Sequence, residues 1–374
     1  MSTSHRVIGA TVSLAALFAC SLAVRPLVKV ASGTTTAPRP EFVYVALSEG
    51  YVAAFEIGTD GALTPVPGSP FPAGSSPNGV AVDPTGKVVY VANVLSDDVS
   101  GYTINADGSL TPVPASPVPA GSGPASVTVD PLGRFVFVGN CGAICSGSGS
   151  GSISVYSINR RNGALTPVAE FTAGQWPEPI AVSPSGEFLY AGNYGSANVS
   201  DFSISSTGEL TPVAGSPFSA GSSPLSVFAD PLGSFLYVAN TASSNVSAYT
   251  IEADGALTQI SGSPFGAASF TASIQTDPAG KHAFVAVGAG VLAYTISTTG
   301  ALVAVAGSPF PAGTGPNSLS VDRTGRYVYV ANAGSGTISA FTINPRTGAL
   351  TAVAGSPFPT GGRPESVATS PGPR

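Results

Sequence analysis

The sequence is poor in the residues that build metal, redox or ionic sites. It has 374 residues with only 2 His, 3 Cys and 1 Trp, and 9% of it is charged, against about 25% in ordinary globular proteins. So few His and Cys residues complete no zinc-type ligand set, and we predict no metal and no cofactor. The net charge of -6 gives no basic footprint for nucleic acid. No Gly-x-Ser-x-Gly elbow or Walker loop occurs.

Glycine and proline are abundant instead, with 46 and 34 residues. In an aperiodic chain they would indicate disorder, but here they recur at fixed places in a unit repeated every 45 to 53 residues. The clearest copy is Asp230-Pro-Leu-Gly-Ser-Phe-Leu-Tyr-Val-Ala-Asn240, and related segments lie at 83–93, 130–140, 183–193, 277–287 and 322–332. The repeat indicates one ring of units rather than two or three separate domains.

Each unit contains four strand-like segments, which in one copy are 126–130, 134–140, 152–158 and 164–168. Asp-Pro-x-Gly after the first segment is typical of a type I turn. A Gly at a hairpin tip precedes the fourth segment in all seven copies: Gly61, Gly108, Gly163, Gly208, Gly255, Gly300 and Gly348. Four antiparallel strands in about 45 residues are typical of a propeller blade. We therefore predict an all-β, seven-bladed β-propeller with four-stranded antiparallel blades over 41–374.

The first and last units are complementary. The first blade begins at Phe42 without an inner strand, and a spare strand, 365–370, ends the chain. We predict that this C-terminal strand pairs with the first blade and closes the ring, because closure leaves no unpaired inner edge. The Asp-Pro-x-Gly turns and Gly hairpins then lie on one face, and the more variable loops lie on the other. We call these the turn face and the loop face.

The repeat also carries a family resemblance. Tyr237-Val-Ala-Asn240 and Tyr329-Val-Ala-Asn332, with Val227 and Asp-Pro-x-Gly upstream, resemble the YVTN-type repeats of bacterial seven-bladed propellers. They are especially similar to the lactonase or cycloisomerase 2 family, which includes 6-phosphogluconolactonase-like and carboxymuconate-cyclising enzymes. The resemblance implies lactone chemistry through His, Arg and carboxylate groups in a central channel. His282, however, lies at the start of a second strand and matches no channel position.

One residue per unit enters the first strand and should ring the channel mouth: Asn78, Ala125, Glu178, Leu225, Ala272, Asn317 and Glu365. Glu178, Glu365 and Arg363 are the candidate catalytic residues, since carboxylates and a guanidinium can activate water and polarise a lactone carbonyl. Asn78, Asn317 and the single Trp, Trp176, are the candidate ligand-binding residues. The alternative interpretation is that the charges are a solvated rim and Trp176 packs between blades.

The N-terminus predicts export. Residues 7–19 form an apolar run too short to span a bilayer. Leu17-Phe18-Ala19-Cys20 resembles a bacterial lipobox, in which Cys20 is lipidated, and ordinary cleavage near Ser21-Leu22-Ala23 is the alternative. We predict a signal peptide over 1–23, a flexible tether over 24–40, and a periplasmic, membrane-anchored or secreted protein.

The two remaining cysteines lie close together in Cys141-Gly-Ala-Ile-Cys145. In an oxidising compartment this spacing favours a local disulfide. A redox centre is disfavoured because the motif is not Cys-x-x-Cys, and no second Cys pair completes a metal site.

Two functions fit these observations. The first is a monomeric, exported binding propeller that takes a small molecule or an extracytoplasmic protein partner at its loop face and channel mouth. The second is a lactone hydrolase acting in the channel. Export argues against a housekeeping role in sugar-phosphate metabolism, because that substrate is cytoplasmic.

Overall fold

The computed structural model describes residues 40–142 and 149–371, which form strands, turns and loops without a helix. The all-β prediction is confirmed. The predicted signal peptide, Cys20, the tether up to residue 39, and Cys145 lie outside the described residues, so those interpretations stay predictions. Within the described part of the chain, no helix is long and apolar enough to cross a membrane.

The described strands form seven antiparallel sheets, which we number as blades 1 to 7 in chain order. Blade 1 contains β1 Glu41–Leu47, β2 Tyr51–Ile57, β3 Leu63–Pro65 and β4 Phe71–Pro72. Blade 2 contains β5 Pro77–Val82, β6 Val88–Asn93, β7 Asp98–Ile104, β8 Leu110–Pro112 and β9 Val118–Pro119. Blade 3 contains β10 Pro124–Val129, β11 Phe135–Asn140, β12 Ser152–Ile158 and β13 Leu165–Thr172.

The remaining blades repeat this order. Blade 4 contains β14 Pro177–Val182, β15 Phe188–Asn193, β16 Asn198–Ile204, β17 Leu210–Pro212 and β18 Phe218–Ser219. Blade 5 contains β19 Pro224–Ala229, β20 Phe235–Asn240, β21 Asn245–Ile251, β22 Leu257–Gln259 and β23 Phe265–Gly266. Blade 6 contains β24 Ser273–Thr276, β25 His282–Val287, β26 Gly290–Ile296 and β27 Leu302–Ala304. Blade 7 contains β28 Pro316–Val321, β29 Tyr327–Asn332, β30 Thr337–Ile343, β31 Leu350–Ala352 and β32 Phe358–Pro359, and β33 Pro364–Thr369 follows.

The predicted ring closure is confirmed. β33 pairs antiparallel with β1, with Val45 opposite Val367, and so supplies the inner strand of blade 1. Phe42 N donates to Ser370 Oγ at 2.8 Å, and Ser370 N donates to Phe42 O at 2.7 Å. Ser370 thus serves blade 1 as Ser183 serves blade 4 and as the turn aspartates serve the five other blades.

Those aspartates fix the turn face. Asp230 Oδ1 accepts hydrogen bonds from Ser234 N at 2.7 Å and Phe235 N at 2.6 Å, and Gly233 N donates to Asp230 O at 2.9 Å. A carboxylate that accepts backbone N–H groups forms strong, charge-assisted hydrogen bonds. The Asp-Pro-x-Gly motif is therefore a structural cap that joins the first and second strands.

The hydrophobic core is divided among the blade interfaces. The buried apolar residues form seven clusters, and each cluster joins two neighbouring blades. The second strands are the most enclosed, and Tyr90 and Tyr237 are 0% exposed. Burying one such side chain contributes roughly 1.5–3 kcal/mol. Phe71 and Phe265, each the last residue of a Gly-Ser-Pro-Phe segment that leads to the next blade, pack against these clusters.

The hairpin glycines make close approach between blades possible. Gly108 has φ +82°, and a Cβ on it would overlap the ring of Phe42 in the preceding blade. Nearby, Tyr44 Oη donates to Gly108 O at 3.0 Å, and Tyr237 Oη donates to Gly300 O at 2.9 Å in the same way. Glycine is thus required both by the backbone conformation and by the ring that stacks on it.

Candidate functional site

The seven inner strands enclose a channel with a cavity of about 1010 Å³. β33, β5, β10, β14, β19, β24 and β28 neighbour one another in that order, and β28 returns to β33. Much of the wall is apolar and small, as at Val80, Val127 and Ile180, so polar groups stand out where they occur. The cavity size suits a small molecule rather than a protein segment.

A β-bulge begins six of the seven inner strands. In blade 2, for example, the pairing shifts between Pro77 and Gly79, which leaves Asn78 as the extra residue. The equivalent shifts contain Ala125, Glu178, Leu225, Asn317 and Glu365. A bulge turns a side chain away from the alternation of its strand. These residues and Ala272, which precedes β24, all line the cavity, so the structure brings the seven predicted mouth positions together.

Glu365 is the centre of one polar group at the mouth. Its Oε1 lies 3.2 Å from Arg363 Nε, and Asn317 Nδ2 donates to Glu365 O and Oε2 at 3.1 Å each. Burial raises the pKa of Glu365, Arg363 lowers it, and Glu49 raises it. Glu49 in turn accepts the backbone N–H of Arg363 at 3.0 Å. The guanidinium of Arg363, 61% exposed, is therefore tethered but open to solvent.

Glu178 stands alone on the other side of the ring. It begins blade 4, three blades from Glu365 in ring order, and none of the hydrogen bonds or ion pairs among the described residues involves its carboxyl group. Burial raises its pKa to about 7. A carboxyl group with such a pKa exists in both protonation states near neutral pH, which suits proton transfer.

The rest of the mouth is asymmetric. Asn78 of blade 2 lies beside the blade that carries Glu365, whereas Leu225 and Ala272 of blades 5 and 6 are apolar. The mouth thus has a polar arc over blades 7, 1 and 2 and an apolar arc over blades 5 and 6. A ligand with one polar and one apolar edge would match both arcs.

Trp176 lies beside Glu178 but is not among the residues that line the cavity. It has a positive φ of 52°, and its ring centroid is 5.8 Å from that of Tyr194. Its carbonyl accepts hydrogen bonds from Glu178 N at 2.8 Å and Tyr194 N at 2.9 Å. The contacts of Trp176 therefore fix the backbone from which Glu178 projects.

His282 lies on the turn face, outside the channel. Its Nδ1 is 2.8 Å from Asp277 Oδ2, and a Cβ on Gly348 of the next blade would meet its ring. It takes the position that Phe235 takes in blade 5. Among the described residues, no group of three or more His, Cys, Asp or Glu side chains is placed to hold a metal ion. Cys141 is buried, but its predicted partner Cys145 lies outside the described residues.

The sequence-based prediction of the site did not include three polar residues that the structure places in the channel or the core. Gln275 and Arg323 line the channel away from the mouth, and Asp201 is fully buried in blade 4. Each had a signal, because each breaks the pattern of its repeat. The other units have Pro where Arg323 stands, and residues such as Ala248 and Ala340 where Asp201 stands.

The seven sheets form a seven-bladed β-propeller, and the polar residues that line its channel form a candidate ligand site. The family model described as "Lactonase, 7-bladed beta-propeller" matches residues 34–228 and 219–367. The chain belongs to this family. A comparison with curated protein sequences gives no match.

Solved structures agree with this assignment at the level of the fold. A putative 6-phosphogluconolactonase from Bacteroides uniformis is 20% identical, with 88% of this chain and 99% of that chain covered and a TM-score of 0.75. A putative 6-phosphogluconolactonase from Bacteroides fragilis is 22% identical, with coverages of 88% and 98% and a TM-score of 0.73. The periplasmic gluconolactonase of Pseudomonas aeruginosa is 18% identical, with coverages of 89% and 100% and a TM-score of 0.76.

Proposed function

We propose that the channel mouth binds a small polar molecule and hydrolyses it as a lactone, with Glu178 as the general base. The observation that carries the proposal is the unpartnered carboxyl group of Glu178, which lines the cavity and whose pKa burial raises to about 7. Arg363, Glu365 and Asn317 supply a hydrogen-bonded polar group at the same mouth. Membership of the lactonase family supports the reaction class.

In this mechanism the carboxylate of Glu178 removes a proton from water as the water oxygen bonds to the lactone carbonyl carbon. The electron pair of the C=O bond moves to its oxygen, and the guanidinium of Arg363 stabilises that oxyanion. The tetrahedral intermediate then breaks its ring C–O bond. The protonated Glu178 returns the proton to the departing alkoxide, and the product is an open hydroxy acid. Glu365 orients Arg363 through the 3.2 Å ion pair.

The charges at the mouth favour an uncharged lactone over a phosphorylated one. Arg363 is the one cation among the described residues there, and Glu365 already neutralises it. Ionised Glu178 makes the mouth net negative, which disfavours a phosphate dianion. The related protein described as a periplasmic gluconolactonase supports an unphosphorylated sugar lactone.

The same relative supports export, together with the N-terminal signal-like segment and Leu17-Phe18-Ala19-Cys20. We accordingly propose an extracytoplasmic protein, either anchored through Cys20 or released. An exported protein of this kind would meet lactones that carry no phosphate.

The test is proton release from a panel of sugar and alkyl lactones, with wild type beside Glu178→Gln and Arg363→Ala. Glu209→Gln, which changes an exposed carboxylate of a turn-face hairpin, is the matched control. Losing a general base typically costs 10²–10⁴-fold in rate. We expect that loss in Glu178→Gln and wild-type turnover in the control. Unchanged turnover in Glu178→Gln would overturn the assignment.

The pH profile gives a second test. The base must be ionised to accept a proton, so kcat/KM should fall as pH drops below about 7, the pKa to which burial raises Glu178. A profile flat from pH 5 to 8 would contradict Glu178 as the base.

Binding without turnover is the second candidate. It is favoured by the 61% exposure of Arg363, which leaves the oxyanion donor weakly enclosed. It is also favoured by apolar side chains on the loop face, such as Leu95 and Phe270, 62% and 45% exposed, which suit an extracytoplasmic protein partner. Saturable heats with lactones or hydroxy acids, without proton release, would select this candidate.

A further inference from the structure

The charges of the propeller are distributed unevenly around the ring. Residues 40–272, which cover blades 1 to 5 except β33, contain 17 Asp and Glu residues and 4 Lys and Arg residues. Blades 6 and 7, over residues 273–359, reverse this ratio with two carboxylates, Asp277 and Asp322, and four cations: Lys281, Arg323, Arg326 and Arg346. The chain as a whole has a net charge of -6. Blades 6 and 7 are therefore a cationic sector of an acidic protein, and such a sector attracts anions.

One cavity of this sector lies at the interface of the two blades. It has a volume of about 450 Å³ and is lined by Lys281, His282, Thr295, Ile296, Pro345 and Arg346. The first four belong to blade 6, and the last two belong to the hairpin between β30 and β31 of blade 7. No carboxylate is among these lining residues. Two cations and an imidazole thus surround one space.

The strand pair of blade 6 forms one wall of this cavity. His282 lies opposite Thr295 in the pairing of β25 with β26, and Ile296 N donates to Lys281 O at 2.8 Å. Side chains of directly opposite residues project from the same face of a sheet. The His282 ring and the Thr295 hydroxyl are therefore on the side of the sheet that faces blade 7, and Lys281 beside them is exposed.

The hairpin of blade 7 forms the opposite wall. A Cβ on Gly348 would lie 2.5 Å from His282 Cδ2, so the hairpin packs directly on the imidazole ring. Asn344 O accepts Gly348 N at 2.8 Å, and Asn344 Oδ1 accepts Arg346 N at 3.0 Å. Pro345 restricts φ between Asn344 and Arg346. The backbone of Arg346 is therefore fixed within the hairpin that covers His282.

His282 gives the cavity an unpartnered polar group. The equivalent residues of the other blades are Phe42, Val88, Phe135, Phe188, Phe235 and Tyr327. His282 is 2% exposed, and its Nδ1 lies 2.8 Å from Asp277 Oδ2. A carboxylate accepts hydrogen bonds, so Nδ1 carries the donated proton and Nε2 of the neutral ring is an acceptor. Within residues 40–142 and 149–371, nothing forms a hydrogen bond with this Nε2.

The two cations are not neutralised within the described part of the chain. Neither the ammonium of Lys281 nor the guanidinium of Arg346 has a hydrogen bond or ion pair there. Asp277 does not line the cavity, and its carboxylate already accepts Lys281 N at 2.7 Å and bonds the ring of His282. Counting Asp277 still leaves a net positive charge around the cavity. A ligand that fits has negative oxygens for the cations and one O–H for Nε2.

We propose that the cavity between blades 6 and 7 binds phosphate, as the hydrogen phosphate ion or as the protonated phosphate group of a monoester. Arg346 and Lys281 contact the charged oxygens, since a guanidinium and an ammonium both suit phosphate oxygens. The O–H of the phosphate donates to Nε2 of His282, which Asp277 orients. The site lies on the turn face, apart from the channel mouth, and does not depend on the lactone chemistry proposed there.

The interface of blades 2 and 3 supplies a matched control. Its hairpin carries Arg161 where blade 7 has Arg346, and this hairpin packs on Val88, which stands where blade 6 has His282. Lys87 precedes Val88 as a lysine precedes His282. That interface therefore has the same two cations but no imidazole, and Arg161→Ala removes one of them.

The test is titration with inorganic phosphate and with sulfate at low ionic strength, followed by calorimetry and by the imidazole NMR signal of His282. The variants are Arg346→Ala, Lys281→Ser and His282→Phe, beside the control Arg161→Ala. The last two of the three replacements introduce the residues of blade 5, and His282→Phe also assigns the imidazole signal by its loss. Thermal melting checks the fold of each variant.

We expect phosphate to shift the His282 signal saturably in wild type and in Arg161→Ala. Phosphate binding should be at least about tenfold weaker in Arg346→Ala and in His282→Phe, because each loses a direct contact with the ligand. Lys281→Ser should weaken binding less, since an ammonium is the more strongly hydrated cation. Sulfate should bind more weakly than phosphate, because at neutral pH it has no O–H to donate to Nε2.

No saturable shift in wild type would overturn the site. So would unchanged phosphate affinity in Arg346→Ala, equal losses in Arg346→Ala and Arg161→Ala, or sulfate binding as tightly as phosphate. Arg346→Ala and Lys281→Ser change exposed side chains, so they keep the test decisive if His282→Phe does not fold. None of these results bears on proton release by Glu178.

Discussion

Blades 4 and 5 are neighbours with the same backbone, four consecutive strands and a two-residue fifth strand on the third, yet they carry different chemistry. Blade 5 has Leu225 at the channel mouth and Ala248 in its third strand, where blade 4 has Glu178 and Asp201. Both carboxyl groups of blade 4 have raised pKa values because they are buried. Blade 5 shows how the repeat packs when both of these positions hold apolar residues. Blade 4 shows which positions accept polar groups while the strand pairing stays the same.

The difference extends to the contact between the blades. Tyr237 of blade 5 donates its hydroxyl hydrogen to Gly300 O at 2.9 Å, but the buried hydroxyl of Tyr190 in blade 4 has no hydrogen-bond partner among residues 40–142 and 149–371. Asp201 lies directly across the strand pair from Tyr190, and both its carboxyl oxygens are buried with no hydrogen-bond partner of good geometry in the described part of the chain. Burial raises the pKa of Asp201 to about 8, the nearby backbone N–H of Phe202 lowers it, and the charge of Asp254 raises it. Burying the Tyr190 hydroxyl and the Asp201 carboxyl group without good hydrogen bonds destabilises blade 4 relative to blade 5.

The largest loss of stability should come from removing β33, the strand that closes the ring of blades. Ending the chain before Glu365 removes β33 and exposes the edge of β1, whose side chains are buried in the core. We expect loss of the cooperative thermal transition, followed by circular dichroism. A chain ended at Pro371 keeps the whole of β33 and is the control. A truncated protein that melts like this control would show that blade 1 does not need its C-terminal strand.

Asp201→Ala gives blade 4 the residue of blade 5 and should stabilise the protein. Since the pKa of Asp201 is raised from 3.8 to about 8 in the folded state, folding favours its protonated form. The contribution of Asp201 to the free energy of unfolding is therefore largest below about pH 4. It decreases as pH rises and stays at a constant lower value above about pH 8. One pKa unit corresponds to about 1.4 kcal/mol, so the loss is on the order of a few kcal/mol.

Melting curves from pH 4 to 9 measure this effect. The Tm of Asp201→Ala should exceed that of wild type by an amount that grows with pH, and Asp201→Asn should show the same trend. Parallel pH profiles for wild type and both variants would mean that Asp201 does not titrate between the folded and unfolded states.

Gly108→Ala tests a position that all blades share. The new Cβ would overlap the ring of Phe42, in a backbone with φ +82°. We expect a loss of about 2–4 kcal/mol in the free energy of unfolding, as for overpacking combined with a disfavoured φ. Gly133→Ala is the control, because its φ is +64° but nothing lies within 4 Å of its added Cβ. If urea unfolding gave equal losses of stability for both variants, glycine would be required by the backbone conformation alone and not by the contact with Phe42.

The smallest effect should come from Ser183→Asp, which gives blade 4 the turn cap of blade 5. Ser183 Oγ accepts Phe188 N at 3.0 Å and Glu187 N at 3.3 Å, both longer than the bonds of Asp230. A carboxylate would shorten and strengthen these bonds, which should stabilise by about 0.5–1 kcal/mol. Thermal melting at pH 7 measures the gain, and a decrease in Tm would show that serine is the better cap in this blade.

The fold followed from the sequence because its rules are local and repeated. A motif such as Asp230-Pro-Leu-Gly233 encodes a turn wherever it occurs, and six related turns together with seven hairpin glycines leave one architecture. The mouth positions followed from aligning the repeats. The bond between Asn317 and Glu365 did not, because it joins blades 7 and 1 and exists only in the closed ring. The isolation of Asp201 was also hidden, since alternation indicates a buried position but not whether its oxygens find partners.

The reciprocal hydrogen bonds between Phe42 and Ser370 hold two strands of blade 1 together without a covalent turn between them. Blade 1 joins β33 and β1 by strand pairing and by these two hydrogen bonds, at the place where blade 5 has the covalent turn 230–233. A short linker across that gap, with new termini opened in another turn, would leave every blade contact in place. We therefore expect circular permutants of the propeller to fold, because β33 and β1 already pair without a covalent connection.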